Sequence, residues 1–212
     1  MAELDLAALL RDTLRLLAQN GWRLAPAIIL LTAIPVFGDI WVQQRDQAAI
    51  NLVVAAATLF MQTWLTVALL EANGRRHSRR GAGTVLGIGL LGGLGILLGV
   101  VLLVVPGLIL IVRWSMSVPY ALAEDVGVTD SLQASFEETR GAFWPILLLL
   151  VICYVPAALS FAVIAWFEPQ GVTVASSVAV NVLISLSLLA GWHAAVAIYL
   201  AKRGHTLPEV FA

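Results

Sequence analysis

Arg113 is the one basic residue that falls inside a long apolar stretch of this chain, and it offers the clearest chemistry. A charge at mid-membrane is expensive, so it must find a partner or reach an interface. Two expectations follow. Either the guanidinium snorkels to outer headgroups or pairs with Asp39 or Glu168, or its planar fork holds a lipid phosphate or another anion. Four more arginines, Arg75, Arg76, Arg79 and Arg80, cluster directly after an apolar segment. Beside an anionic leaflet they fix the orientation of the chain and attract phospholipid headgroups.

Uncharged polar residues recur at helical spacing in two places. Asn51, Thr58, Gln62 and Thr66 make one stripe; Thr173, Ser177, Asn181 and Ser185 make another, with His193 beyond it. Such stripes face neighbouring helices and hydrogen-bond there, or they line a hydrophilic path. His193 has no carboxylate within a turn, and His77 and His205 fall in loops, which argues against a metal or proton-relay site. The sequence holds no Walker loop, HExxH, GxSxG or paired intramembrane carboxylates. No catalytic residue, metal or cofactor is therefore expected.

The elements that must position these residues are apolar helices. Hydrophobic residues make up 60% of the 212-residue chain and charged ones 12%, about half the usual charged share of a soluble domain, and the mean hydropathy is +0.94. That length leaves room for membrane segments and no separate catalytic domain. A net charge of −1 argues against nucleic acid. The lone Cys153 lies in an apolar run, and Glu3, Asp5 and Asp12 stand where a signal peptide needs a basic region.

Val85–Val112 is a 28-residue apolar run without an ionisable side chain, and Pro106-Gly107 interrupts it. Read as a reversal, that pair yields spans at about 22–42, 48–70, 84–105, 107–123, 146–167 and 172–200. Charge supports this count. Six spans put ten of the 12 basic residues on one side with both termini and leave Arg45 on the other, whereas five spans would move Arg140, Lys202 and Arg203 across. The fold expected is thus an all-α integral membrane protein with six transmembrane helices and both termini cytoplasmic. Trp22, Trp41, Trp144 and Trp166 fall near span ends, as interfacial rings should. The fourth span is short and carries Arg113, Ser115, Ser117 and Pro119, so it is expected to tilt or be partly re-entrant.

Two interfacial amphipathic helices complete the reading. In 3–20, Leu6, Leu10, Leu14 and Leu17 recur at helical spacing. In 130–141, Asp130 is the expected N-cap, and Leu132, Phe136 and Phe143 form an apolar edge. Each is followed by glycine, tryptophan and proline, which suggests two parallel repeats flanking a Gly-rich hairpin. Gly83/Gly87, Gly89/Gly93 and Gly95/Gly99 are small-xxx-small pairs, with Gly92, Gly95 and Gly99 on one face. They allow close packing on another span of this chain or on a second copy.

Pro106-Gly107, Arg113, Pro119, Glu124, Gly127, Ser131, Ser135, Thr139-Arg140-Gly141 and Phe143-Trp144 resemble the pattern of a prokaryotic six-span membrane family. That family is related to the membrane domain attached to some glycerophosphodiester phosphodiesterases. Its phosphodiesterase chemistry belongs to the attached soluble domain, so the resemblance implies a six-helix membrane protein and not a lipase. The expectation is a non-catalytic protein of the prokaryotic inner membrane that binds or organises lipids or partner membrane proteins. Its partners would be membrane lipids, with another membrane protein or a second copy of the chain as further candidates. The alternative is a small transporter whose polar path is lined by the second and sixth spans.

Overall fold

The computed structural model describes residues 4–42, 46–75, 81–167 and 171–203. Among them the chain is helical almost throughout: α1 (Leu6–Gln19), α2 (Gly21–Trp41), α3 (Gln47–Ala72), α4 (Ala82–Leu102), α5 (Val104–Arg113), α6 (Ser117–Glu124), α7 (Val128–Glu138), α8 (Phe143–Phe167) and α9 (Val174–Arg203). Six segments are long and apolar enough to cross a membrane, the fourth being α5 and α6 together. This is a multi-pass membrane protein. Leu90, Leu94, Leu97, Leu102 and Phe161 are all more than half exposed. In water that surface would aggregate; in lipid it is the outer wall.

Contacts between the helices fix the alternation. Asp39 meets Ser177 and Thr32 meets Ser185, so α2 runs antiparallel to α9. Gly191 packs on Tyr154, and Ser187 meets Ala157, so α8 does the same. The start of α2 and the end of α9 therefore share one end of the bundle, called here the basic end because Arg15, Arg23, Arg75, Lys202 and Arg203 gather there. Trp22 and Trp144 lie at that end, Trp41 and Trp166 at the opposite one, and all four are largely exposed. At ~1.5 Å per residue, the two pairs mark belts about 28–33 Å apart, the thickness of a bilayer's hydrocarbon.

The hairpin in the middle of the chain departs from expectation. The chain reverses at Leu103, a single extended residue between α4 and α5, and not at Pro106-Gly107. Proline acts upstream of itself. In a continued helix its ring would meet the carbonyl of Leu102, four residues back, so α4 stops there. Pro106 then occupies the first turn of α5, where a missing N–H costs nothing. Pro119 in α6 and Pro145 in α8 hold the same third position of their helices. Gly107 serves a different purpose: a Cβ on it would lie 2.3 Å from Val100 Cγ2, and one on Gly99 would lie 2.9 Å from the Gly107 nitrogen. The two backbones cross in contact just below the reversal.

Three other α4 glycines are also used within the chain. Gly95 receives the Trp114 ring, Gly92 touches Trp114 and Leu132, and Gly87 meets Val128. Gly83, Gly89 and Gly93 meet nothing within 4 Å.

The amphipathic helices dock differently from expectation. On α1 the buried residues are Leu9, Thr13 and Leu16, packed towards Tyr199 and Ala197, while Leu14 is 64% exposed. Leu6 and Leu10 of the expected stripe are partly buried against the same cluster, and Leu14 is the member that faces outward. On α7 the N-cap is Gly127 rather than Asp130, and the helix begins at Val128. It buries Ser131, Leu132 and Ser135 instead of a wholly apolar edge, and Phe143 already belongs to α8. The two proposed repeats thus diverge, because α1 docks on α9 and α8 whereas α7 docks on α6, α4 and α5.

Candidate functional site

The fourth span is broken. After Arg113 the chain makes a turn over Trp114–Met116 before α6 starts at Ser117. A break exposes carbonyls that lipid cannot satisfy. Hydroxyls satisfy them here. Ser115 Oγ donates to the Val112 carbonyl at 2.8 Å, and Ser117 Oγ to that of Trp114 at 2.8 Å. From α7, Ser135 Oγ donates to the Arg113 carbonyl at 2.7 Å and accepts from the Met116 N–H at 3.3 Å. Thr139 Oγ1 donates to the Ser135 carbonyl of its own helix at 2.7 Å and lies 3.3 Å from that of Arg113. Ser135 faces inward where the break needs a donor, while Ser131 donates to the Val128 carbonyl of its own helix.

This arrangement sets the position of Arg113. It lies roughly 15 Å along the chain from the reversal, at ~1.5 Å per residue, and at the level of α7 rather than near the opposite end. It therefore does not pair with Asp39, which accepts hydrogen bonds from Ser177 and Asn181 instead. Glu168 lies outside the described residues, as do Arg76, Arg79, Arg80, Arg45, His77 and His205. The Arg113 guanidinium sits 5.4 Å from the Phe136 ring centre, and Arg140 approaches the same ring at 6.0 Å. Lys202 is within electrostatic reach. The Nε and Nη1 atoms of Arg113 are buried with no hydrogen-bond partner. A buried unpaired guanidinium N–H is costly, so an acceptor that protein groups do not supply fits here.

Next to this cation cluster is a compensated one. Arg203 Nη2 meets Glu138 Oε1 at 2.9 Å and also donates to the Tyr120 hydroxyl. Tyr199 donates to Glu124 Oε1 at 2.8 Å, and Arg75 donates to the Arg203 carbonyl at 3.1 Å while its guanidinium faces the Tyr199 ring. Burial lifts the Glu138 carboxyl above the usual range, against the pull of Arg203, with the charge of Glu124 adding to the lift. This network ties α3, α6, α7 and α9 together at the basic end. Arg75 belongs to it, so that arginine is structural as well as basic.

The polar stripes meet two separate cavities. One of about 240 Å³ lies towards the opposite end between α2, α3 and α9, and is bordered by Asp39, Asn51, Thr58, Asn181 and Ser185. Another of about 400 Å³ lies nearer the basic end and is bordered by Gln62, Thr66, Ser115, Tyr154 and the free faces of Gly89 and Gly93. Leu31, Met61, Leu65, Leu189 and Trp192 form an apolar cluster among α2, α3 and α9. The two cavities lie on either side of that cluster. His193 is fully buried, with Nδ1 2.7 Å from the Leu189 carbonyl, and no group of three metal-ligating side chains occurs among the described residues.

Sequence reading missed the part played by Ser135, with Thr139 one turn on, at the break. Their signal was present as polar residues at helical spacing on an amphipathic helix. It also missed the Arg203–Glu138–Glu124 network, whose members are far apart in the chain.

The chain matches no protein-family model, no curated protein and no solved structure.

Proposed function

We propose that this protein is a non-catalytic, multi-pass protein of the prokaryotic cytoplasmic membrane that binds anionic phospholipid at Arg113. The observation that carries the reading is the pair of buried, unpartnered guanidinium nitrogens. Each of the two shares a guanidinium edge with Nη2, and a phosphate presents two oxygens at the spacing of such an edge. Arg140 and Lys202 raise the local positive potential, and Phe136 backs the guanidinium. By the positive-inside rule the basic end is cytoplasmic, together with both termini, which directs the site to lipid of the inner leaflet. Membership of the six-span family that the Pro106–Trp144 pattern resembles is part of this proposal.

Native mass spectrometry after mild delipidation tests it. Wild-type protein should retain phosphatidylglycerol in preference to phosphatidylethanolamine. Arg113→Ala should weaken retention by roughly tenfold or more, since a charged hydrogen bond is worth ~1.5–3 kcal/mol. Arg113→Lys should recover only part of it, because an ammonium lacks the fork. Equal retention by wild type and Arg113→Ala would end the lipid reading.

A second reading, a small transporter, is favoured by the two cavities that the stripes of α3 and α9 border on either side of an apolar cluster. Such a protein would have to open that cluster. Disulfide cross-linking of Leu31→Cys to Leu189→Cys in a Cys153→Ser background would block uptake into proteoliposomes if the reading holds and leave it unchanged if not.

A further inference from the structure

The cavity nearer the basic end is bordered by five of the six spans, and none of its lining residues carries a charge. Gln62 and Tyr154 lie roughly 15 Å inside the ends of α3 and α8, at ~1.5 Å per residue. That depth is about half the distance between the two tryptophan belts, so the cavity reaches the middle of the bilayer. Three polar side chains on its wall lack a hydrogen-bond partner among the described residues. Thr66 is only 2% exposed. Thr58 and Thr63 of the same helix donate to the carbonyls four residues back at 2.8 Å, and Thr66 does not. Gln62, one turn earlier on the same face, leaves its amide free as well. The Tyr154 hydroxyl stands over Gly191, where a Cβ would lie 3.1 Å from it, and is also unpartnered. Ser115 and Ser117 border the cavity too, but their protons already go to the carbonyls of the break. The free groups are therefore mainly donors: two N–H of the amide and the O–H of each hydroxyl. An unmade donor away from water is costlier than a spare lone pair on an acceptor. What the wall lacks is an acceptor.

We propose that this cavity holds the uncharged, carbonyl-bearing headgroup of a lipid dissolved in the bilayer. Carbonyl oxygens accept from Gln62, Thr66 and Tyr154 and bring no further donor that needs a partner. A charged headgroup is excluded, because no counter-charge lines the wall and an unpaired ion at that depth is expensive. A volume of about 400 Å³ falls in the usual range of ligand pockets. Ile88, Ile96, Ile111 and Leu150 supply apolar walls for the hydrocarbon next to the carbonyls. Gly89, Gly93 and Tyr154 keep exposed surface there, and at mid-bilayer that surface meets acyl chains, so the ligand enters sideways from lipid. Two lipid classes carry this chemistry: a prenyl quinone, with two ring carbonyls, and a diacylglycerol, with two ester carbonyls. The proposal goes beyond the phospholipid reading and does not rest on Arg113.

Two matched pairs of probes test it on the full chain in detergent: decylubiquinone against decylbenzene, and dioctanoylglycerol against its di-ether analogue dioctylglycerol. The second member of each pair keeps the tails and lacks the carbonyls. The protein is equilibrated with each probe and re-isolated by gel filtration. The probe retained per chain is then measured by mass spectrometry, with protein-free micelles as the partition blank. In one pair the carbonyl-bearing probe should be retained about tenfold better than its analogue, the effect of losing two neutral hydrogen bonds. Which pair shows the contrast tells quinone from glyceride. Gln62→Leu and Thr66→Val keep the shape of the wall and remove donors, and each should lower retention about three- to tenfold. Gly93→Leu should abolish it, because its Cβ meets no atom within 4 Å and the added carbons extend into the cavity. No contrast in either pair, which a cavity holding only water would give, overturns the proposal. So does undiminished retention by a folded Gln62→Leu/Thr66→Val double variant. The contrast within each pair needs only wild-type protein, so it decides the matter even if the variants fail to fold. Arg113→Ala should lose phosphatidylglycerol and still retain the neutral probe, which keeps failure here distinct from failure of the phospholipid reading.

Discussion

The same substitution at two glycines of one helix should have opposite effects. Gly99 and Gly93 both lie in α4. At Gly99 an added Cβ would stand 2.9 Å from the Gly107 nitrogen and 3.0 Å from its Cα, both backbone atoms that cannot swing away. At Gly93 it would meet nothing within 4 Å. Replacing glycine by alanine in a helix gains up to about 1 kcal/mol from propensity alone, and that gain is common to both sites. Forcing a methyl group into a closed contact costs about 1–3 kcal/mol. The difference between Gly99→Ala and Gly93→Ala cancels propensity and isolates the packing term. Gly93→Ala should be neutral or stabilising, and Gly99→Ala should be less stable than it by about 1–3 kcal/mol. Thermal unfolding in detergent, read by near-ultraviolet circular dichroism, should show a gap of several degrees, since each kcal/mol moves Tm by roughly 2–4 °C at this size. A Gly107→Ala variant should behave like Gly99→Ala, because its Cβ would strike Val100 from the facing side. If Gly99→Ala and Gly93→Ala shift Tm alike, the close crossing does not exist and the position of Arg113 relative to α7 falls with it.

Ser135→Ala removes the donor to the Arg113 carbonyl and the acceptor of the Met116 N–H; a loss of about 1–3 kcal/mol should appear in the same unfolding assay. Ser187→Ala strands the Ala157 N–H, which it accepts at 2.8 Å beside the Pro156 distortion of α8, and should lose about 1–2 kcal/mol, more than the ~0.6 typical of an interhelical bond. Glu138 should make stability depend on pH in the direction its burial dictates. Its carboxyl is raised in the folded protein, so the folded state holds the proton more tightly. Its contribution is then complete below the ordinary glutamate range and fades as pH rises through the raised value. Glu138→Gln should flatten that part of a Tm-against-pH curve; an unchanged slope would show that another group is responsible.

Part of this architecture was legible residue by residue. Trp22 and Trp41 bracket one apolar stretch and Trp144 and Trp166 another, and the structure sets each pair at opposite ends of a helix. The ten-to-one distribution of basic residues favoured an even number of crossings. The resulting six apolar segments agree with the expected ones to within a few residues at most ends. The site was less legible. Pro106-Gly107 marks the hairpin in the sequence but does not form its turn, because proline terminates the helix four residues before itself. That shift moved Arg113 away from Asp39 and towards Phe136.

The chain by itself thus determined the environment and the number of segments long and apolar enough to cross it. Those properties depend on run length and net composition, which sum along the sequence without reference to neighbours. Only the tertiary structure decided which face of α1 is buried, why Ser135 of α7 turns inward, that Arg113 keeps two bare nitrogens, and that one polar stripe borders two cavities. Each of those outcomes is settled by what a helix meets across a contact, and a broken backbone in lipid draws donors from wherever the packing brings them.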